Sequence, residues 1–212
     1  MPVIHFATTN KGKLQWLERV FAMEGLDREW TVKSSPLALI EIQSADIHEI
    51  SLYKARQAFE KLQQPVLTMD GGFYIKELNG FPGPFGKYMF EQMGVENIAK
   101  LVGTLEDRHC GFRNVVTYMD GPESYRQFQD STEDLFELTD KPWPHDHPQQ
   151  WSVMWRLLVP TAMGYDKPLA AFSEEELKIY AADRLKMDAA NSALTNFARS
   201  LKIQGSQEKM RA

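Results

Sequence analysis

Three short clusters in this chain carry residue types suited to holding an anion and a metal. The first, Thr8-Thr9-Asn10-Lys11-Gly12-Lys13, combines neutral donors with a lysine. It lies between an apolar β-like run, Pro2 to Ala7, and a stretch with Leu14, Leu17, Val20 and Phe21 at helical spacing. A loop that enters a helix in this way offers backbone N–H groups and the positive end of the helix dipole to an anion. Simple capping by Thr and Asn is the plainer reading, and the G-x-x-x-x-G-K-[ST] spacing of a phosphate loop is missing. The second cluster is the loop Glu41-Ile42-Gln43, followed by Asp46, Glu49 and Ser51 leading into a helix that carries Lys54. Alone it reads as a capped amphipathic helix with a solvated acidic start. The third is Asp70, after the apolar run Pro65 to Met69 and before Gly71-Gly72. A carboxylate at such a strand end can face a ligand, and an aspartate that merely forms a turn explains it equally well.

The elements that must hold these residues alternate between strand and helix. The first helix ends near Gly25, and residues 29–35 and 65–69 read as further strands. Leu52, Ala55, Ala58, Phe59 and Leu62 mark a helix before Pro65. The dense loop Asn79-Gly80-Phe81-Pro82-Gly83-Pro84 precedes a helix over 85–102. Two strands, 110–119 and 123–129, flank the turn Asp120-Gly121-Pro122. Residues 130–150 are polar and read as an irregular surface excursion, and 151–159 resume a strand pattern. Ser173-Glu174-Glu175-Glu176 is a capping box that opens a helical stretch running with a break to Lys202. The pattern is that of an α/β protein, one domain over 1–203 with a tail at 204–212.

Composition narrows the function. The 212 residues are 43% hydrophobic and 25% charged, enough for a sizeable core. With 24 basic and 29 acidic residues the net charge is −5, which argues against nucleic acid as a partner. One cysteine, Cys110, builds neither a disulfide framework nor a thiolate metal site and is expected to pack in the core. No apolar run approaches the roughly 20 residues of a membrane span, and no secretory leader is visible, so a cytoplasmic protein without membrane contact is expected.

Taken in order, the series T-x-N-x-x-K, then E-x-Q with D-x-x-E-I-S-x-x-K-A-x-x-A, then D-x-x-x-x-x-x-x-L-x-G-x-P-G-P-x-x-K resembles the inosine triphosphate pyrophosphatase family. The resemblance covers roughly residues 1–203 and is most specific at Leu78-Asn79-Gly80-Phe81-Pro82-Gly83-Pro84-Phe85-Gly86-Lys87. It implies a long mixed central β-sheet flanked by helices, in two lobes with a nucleotide cleft between them, and a homodimer. It also implies magnesium-dependent hydrolysis of a non-canonical nucleoside triphosphate to monophosphate and pyrophosphate. By similarity Thr8, Thr9, Asn10 and Lys13 hold phosphates, Glu41 and Asp70 hold Mg2+, and Asp70 activates water. Lys54, Lys87, Lys178 and Arg184 add positive charge, and Trp155 stacks on the base.

The departures from the family pattern fall mainly late in the chain. Trp155-Arg156 stands where the family has G-W-D-P, so an arginine replaces the aspartate that reads the base. Ala182 and Asp183 stand where a serine and a histidine belong, and Met69 replaces a second acid before Asp70. A guanidinium offers only donors, so Arg156 suits a base that presents acceptors, unless it pairs with Asp183 and merely fills the pocket. Two alternatives follow: a nucleotide-binding protein with weakened catalysis, or a pyrophosphatase of altered base choice in nucleotide biosynthesis. His145-Asp146-His147 and Glu106-Asp107-Arg108-His109 read as exposed surface segments rather than sites. Trp143, Trp151 and Trp155 have core packing as their default.

Overall fold

The computed structural model describes residues 1–211, with side chains to 203. The chain divides into two compact units. The first comprises Met1–Asp70, Asn114–Asp130 and Leu185–Ala212, and the second Gly71–Arg113 and Ser131–Arg184.

In the first unit, β1 (Val3–Phe6) pairs in parallel with β2 (Thr31–Ser34) and with the start of β3 (Val66–Ile75). Strand alternation sorts the residues into two layers. Ile4 and Phe6 of β1 and Leu67 and Met69 of β3 pack against α1 (Lys11–Met23) and α5 (Ala193–Arg211), through Leu17, Val20, Phe21, Leu194 and Phe197. Ala7 and Val66 face the other way, onto Ala55, Ala58 and Phe59 of α2 (Ile47–Leu62). The same alternation aims Thr68 and Asp70 at α2, where Ser51 and Lys54 lie three positions apart on one face.

The second unit holds the far half of β3, antiparallel to β4 (Pro82–Gly83), then α3 (Gly86–Val102) and the start of β5 (His109–Met119). β5 also runs into the first unit, where β6 (Tyr125–Ser131) pairs with it. β7 (Phe136–Leu138) is antiparallel to β5 and to β8 (Leu158–Val159), and α4 (Glu174–Asn191) follows. The strand order is β2-β1-β3-β5-β7-β8, a mixed sheet in an α/β fold. Around it pack Phe73, Ile75, Ile98, Val102, Cys110, Phe136, Leu138 and Leu157.

Four boundaries differ from expectation. β3 does not end at Asp70 but continues to Ile75, because Phe73 and Ile75 are buried in the second unit. Gly72 permits this: a Cβ there would lie 2.9 Å from the backbone of Gly83 and 2.7 Å from the Tyr74 ring. The polar stretch 130–150 contributes β7, whose Phe136 and Leu138 are core residues. Residues 151–159 form a short 3-10 turn, Val153–Arg156, before the two-residue β8, rather than one strand. The final helical stretch has the expected break, which falls at Ser192, but it runs past Lys202 to Arg211, while Ala212 lies outside the described residues.

A buried polar chain locks α2 to the sheet. Thr117 Oγ1 donates to Ser51 Oγ at 2.8 Å, Thr68 Oγ1 donates to the Ser51 carbonyl at 3.0 Å, and Gln127 Nε2 donates to both Thr117 Oγ1 and the His48 carbonyl. Ser51, Thr68 and Thr117 are all fully buried. Thr117→Val strips the fully buried Ser51 of a partner and removes one from the half-buried Gln127, so urea denaturation should show a loss of about 1–3 kcal/mol. The exposed Thr31→Val should stay within about 0.5 kcal/mol.

Candidate functional site

In the first unit the sequence clusters converge on one cation. Lys54 Nζ lies 2.7 Å from Glu41 Oε1 and 2.7 Å from Asp70 Oδ1, so a single ammonium bridges two carboxylates. Asp70 is presented by β3, while Glu41 comes from the loop before α2. That loop is clamped by Gln57, one turn beyond Lys54: its side chain accepts from the Ile40 N–H at 2.9 Å and donates to the Ile40 carbonyl at 2.7 Å. Asp46 caps the helix by accepting from the His48 N–H at 2.9 Å.

Lys13 completes the group. Its Nζ donates to the Met69 carbonyl at 2.7 Å, which brings the ammonium beside the strand residue that precedes Asp70. Burial pushes Lys13 below the usual lysine range, Asp70 opposes that shift, and the charge of Lys54 adds to it. For Lys54 burial is again the largest single influence and acts downward. The charges and hydrogen bonds of Asp70 and Glu41 together outweigh it, and its ammonium is held above the usual value. The Thr8–Lys13 loop has the capping geometry: Asn10 Oδ1 accepts from the Lys13 N–H at 3.2 Å and Thr8 Oγ1 from the Asn10 N–H at 3.1 Å. Thr9 and Asn10 are exposed at the start of α1, where the helix dipole favours an anion.

One atom in this group is unsatisfied. Asp70 Oδ2 is buried and has no hydrogen-bond partner among the described residues. A buried carboxylate oxygen without a donor is costly, and a hard cation is the partner its chemistry suits. Among the described residues no three His, Cys, Asp or Glu side chains come together to enclose a metal. Glu41 and Asp70 would therefore supply at most two carboxylates. That fits magnesium, which keeps waters and takes substrate phosphates as its remaining ligands.

The second unit carries the other expected residues. Lys87 is exposed at the start of α3, 3.8 Å from Glu91. Lys178 is exposed on α4, and Asp183 and Arg184 are half-buried there. The helix opens as its capping box predicts, with Glu176 N–H donating to Ser173 Oγ and Ser173 N–H to Glu176 Oε2. Trp155 is not an open stacking surface: it is 5% exposed and belongs to the core, its ring 5.6 Å from that of His147. His147, expected in an exposed segment, is buried, and its Nδ1 accepts from the Gln149 N–H at 3.0 Å.

Arg156 is engaged elsewhere than expected. Its Nε donates to the Trp143 carbonyl at 2.6 Å and its Nη2 reaches Glu96 Oε1 at 3.3 Å. Its acidic partner is Glu96 on α3, not Asp183, so the guanidinium ties the 143 loop to a helix. Sequence reasoning missed Glu96, Gln57 and the Met69 carbonyl, none of which has a local signal. Thr68 and Thr117 did have one, as lone hydroxyls within apolar strands. In a double-mutant cycle read by urea denaturation, Arg156→Ala and Glu96→Ala should couple by about 0.2–1 kcal/mol, as exposed ion pairs do. Arg156→Ala and Asp183→Ala should be additive.

The Ham1 family profile matches residues 4–136 of this chain. A dITP/XTP pyrophosphatase of Methanopyrus kandleri is 41% identical over 113 residues, which is 53% of this chain and 58% of that protein. An inosine triphosphate pyrophosphatase of Candida glabrata is 32% identical over 131 residues, 61% of this chain and 68% of that one. The match spans 58% of the length of the dITP/XTP pyrophosphatases of both Methanopyrus kandleri and Hyperthermus butylicus. The solved HAM1 protein of Coxiella burnetii superposes with a TM-score of 0.70 at 19% identity, covering 95% of this chain and 99% of that one, a likeness of fold. With the profile spanning every sequence cluster from Thr8 to Lys87, this chain belongs to the Ham1 family.

Proposed function

We propose that this protein hydrolyses a non-canonical or modified nucleoside triphosphate to the monophosphate and pyrophosphate, with magnesium. The observation that carries this reading is the pairing of the buried, donor-free Asp70 Oδ2 with two lysines held within the same group. Phosphoryl chemistry of this kind needs little covalent help: it needs an oriented water and compensation of charge on the phosphate oxygens. The names of the relatives, dITP/XTP and inosine triphosphate pyrophosphatases, support the same substrate class.

Asp70 Oδ2 accepts a proton from a water whose oxygen attacks the α-phosphorus. As that P–O bond forms, the bond from the α-phosphorus to the bridging oxygen breaks, and pyrophosphate leaves with the electron pair. Lys13 and Lys54 take the developing charge, and the exposed N-terminus of α1 with Thr8, Thr9 and Asn10 adds neutral donors. Magnesium, held by Asp70 and Glu41, would polarise the phosphoryl oxygens and lower the pKa of bound water. Lys87, Lys178 and Arg184 in the second unit are further candidates for phosphate contact. Soluble action in the cytoplasm and a homodimer complete the reading; no helix among the described residues is long and apolar enough to cross a membrane.

Base choice is the open variable, because Arg156 is occupied by Glu96 and the Trp143 carbonyl. Pyrophosphate release should be measured over canonical, deaminated, oxidised and methylated triphosphates with magnesium, and again with a chelator. Release from a deaminated purine triphosphate is expected, and chelation should abolish it. Asp70→Asn should lower turnover by about 10²–10⁴-fold while nucleotide binding, followed by calorimetry, persists. Unchanged turnover in that variant would remove Asp70 from the mechanism, and binding without release by the wild type would leave a nucleotide-binding protein.

A further inference from the structure

The four charged groups around β3 balance without any metal. Glu41 and Asp70 bring two negative charges, Lys54 and Lys13 two positive ones, and Lys54 stands between the two carboxylates at ion-pair distance from each. Asp70 and Lys54 are largely buried, with side chains 13% exposed, so their attraction is little screened. A divalent ion draws on the same two carboxylates, at Asp70 Oδ2 beside the Oδ1 that Lys54 holds, and magnesium binds oxygen at about 2.0–2.1 Å, which sets it against an ammonium already 2.7 Å from each carboxylate. It would also arrive beside two ammonium groups, whose repulsion only added negative charge can offset.

We propose that Lys54 is the resident cation of the Glu41–Asp70 seat and keeps divalent metal out of the nucleotide-free protein. The lysine holds both carboxylates in position before any nucleotide binds. A metal ion gains the seat only when Lys54 is drawn onto another anion, and the ligand class able to do that is a polyphosphate. Metal and triphosphate therefore enter together rather than the metal first. This inference rests on the reading of Glu41 and Asp70 as metal ligands, and it adds the order of entry and the residue that sets it.

The test is Mn2+ binding to the nucleotide-free protein, read from the paramagnetic resonance signal of the free ion. Lys54→Met should bind Mn2+ at least about tenfold more tightly than the wild type, since a unit charge close to the seat has gone. Lys54→Gln, which keeps a hydrogen-bond donor and loses the charge, should do the same and covers the case in which the methionine variant does not fold. Adding Asp70→Asn to either variant should cancel the gain. Mn2+ affinity unchanged or weaker in the Lys54 variants overturns the proposal, and so does a gain that survives Asp70→Asn. Failure to release pyrophosphate from any triphosphate, with the Mn2+ pattern intact, would instead count against the proposed reaction and leave the metal seat standing.

Discussion

The contact on which the first unit's chemistry depends is the bridge from Lys54 to Glu41 and Asp70. Each carboxylate alone would be a poor feature. Asp70 is largely buried, where an isolated negative charge is expensive, and Glu41 sits on a loop with no regular structure to hold it. Lys54 resolves both problems because α2 presents it at the level of Asp70, while Gln57 on the same helix fixes the backbone beside Glu41. The bridge in turn requires α2 to keep a fixed height against the sheet. Ser51, Thr68 and Thr117 set that height one turn earlier, through hydroxyl bonds made in a buried setting. A packed apolar interface between helix and strand tolerates small slides, whereas hydrogen bonds of defined length do not.

This arrangement separates two demands that compete in phosphate-handling proteins. Cations must be concentrated enough to receive a polyanion, yet the folded chain must be stable without it. Lys13 and Lys54 meet both by having protein acceptors of their own, the Met69 carbonyl and the two carboxylates. A phosphate binding here would replace existing contacts, and the net free energy it gained would be a difference between two sets of charge-assisted bonds. The acidic overall charge of −5 is compatible with this, because the field that matters is set within a few ångströms by these lysines.

Much of the first unit was legible in the sequence, because its signals are local and periodic. The strand-loop-helix opening follows from a short apolar run, a capping Asn10 and apolar residues at helical spacing. In the second unit, Ser173 with Glu176 marks the start of α4 in the same way. The hidden features depend on partners distant in the chain. β3 looks complete at Met69 when only the run of apolar residues is considered; it continues because Gly72 lets Gly83 approach, and nothing in a window around Asp70 reveals that. The polar stretch 130–150 conceals β7 because a three-residue strand with two apolar side chains is too short to establish a period. Arg156 resembled a base-reading residue through its position alone, and its partner Glu96 lies 60 residues earlier.

Family membership and the local contacts carry different weight in the two units. The profile covers residues 4–136, which include every member of the Lys54 group, whereas Trp155, Arg156, Lys178, Asp183 and Arg184 lie beyond it. The backbone is nonetheless shared over 95% of the chain with a solved HAM1 protein. A shared backbone over that span is a likeness of fold, and fold does not carry the roles of individual side chains. The changes in the second unit are themselves structurally accommodated: Arg156 has found a carbonyl and a carboxylate, and Trp155 sits in the core beside His147. A base-reading role for Arg156 would therefore have to displace the Trp143 carbonyl and Glu96 first. The Lys54 group differs in kind, because its two lysines already face carboxylates and a carbonyl that a phosphate could replace.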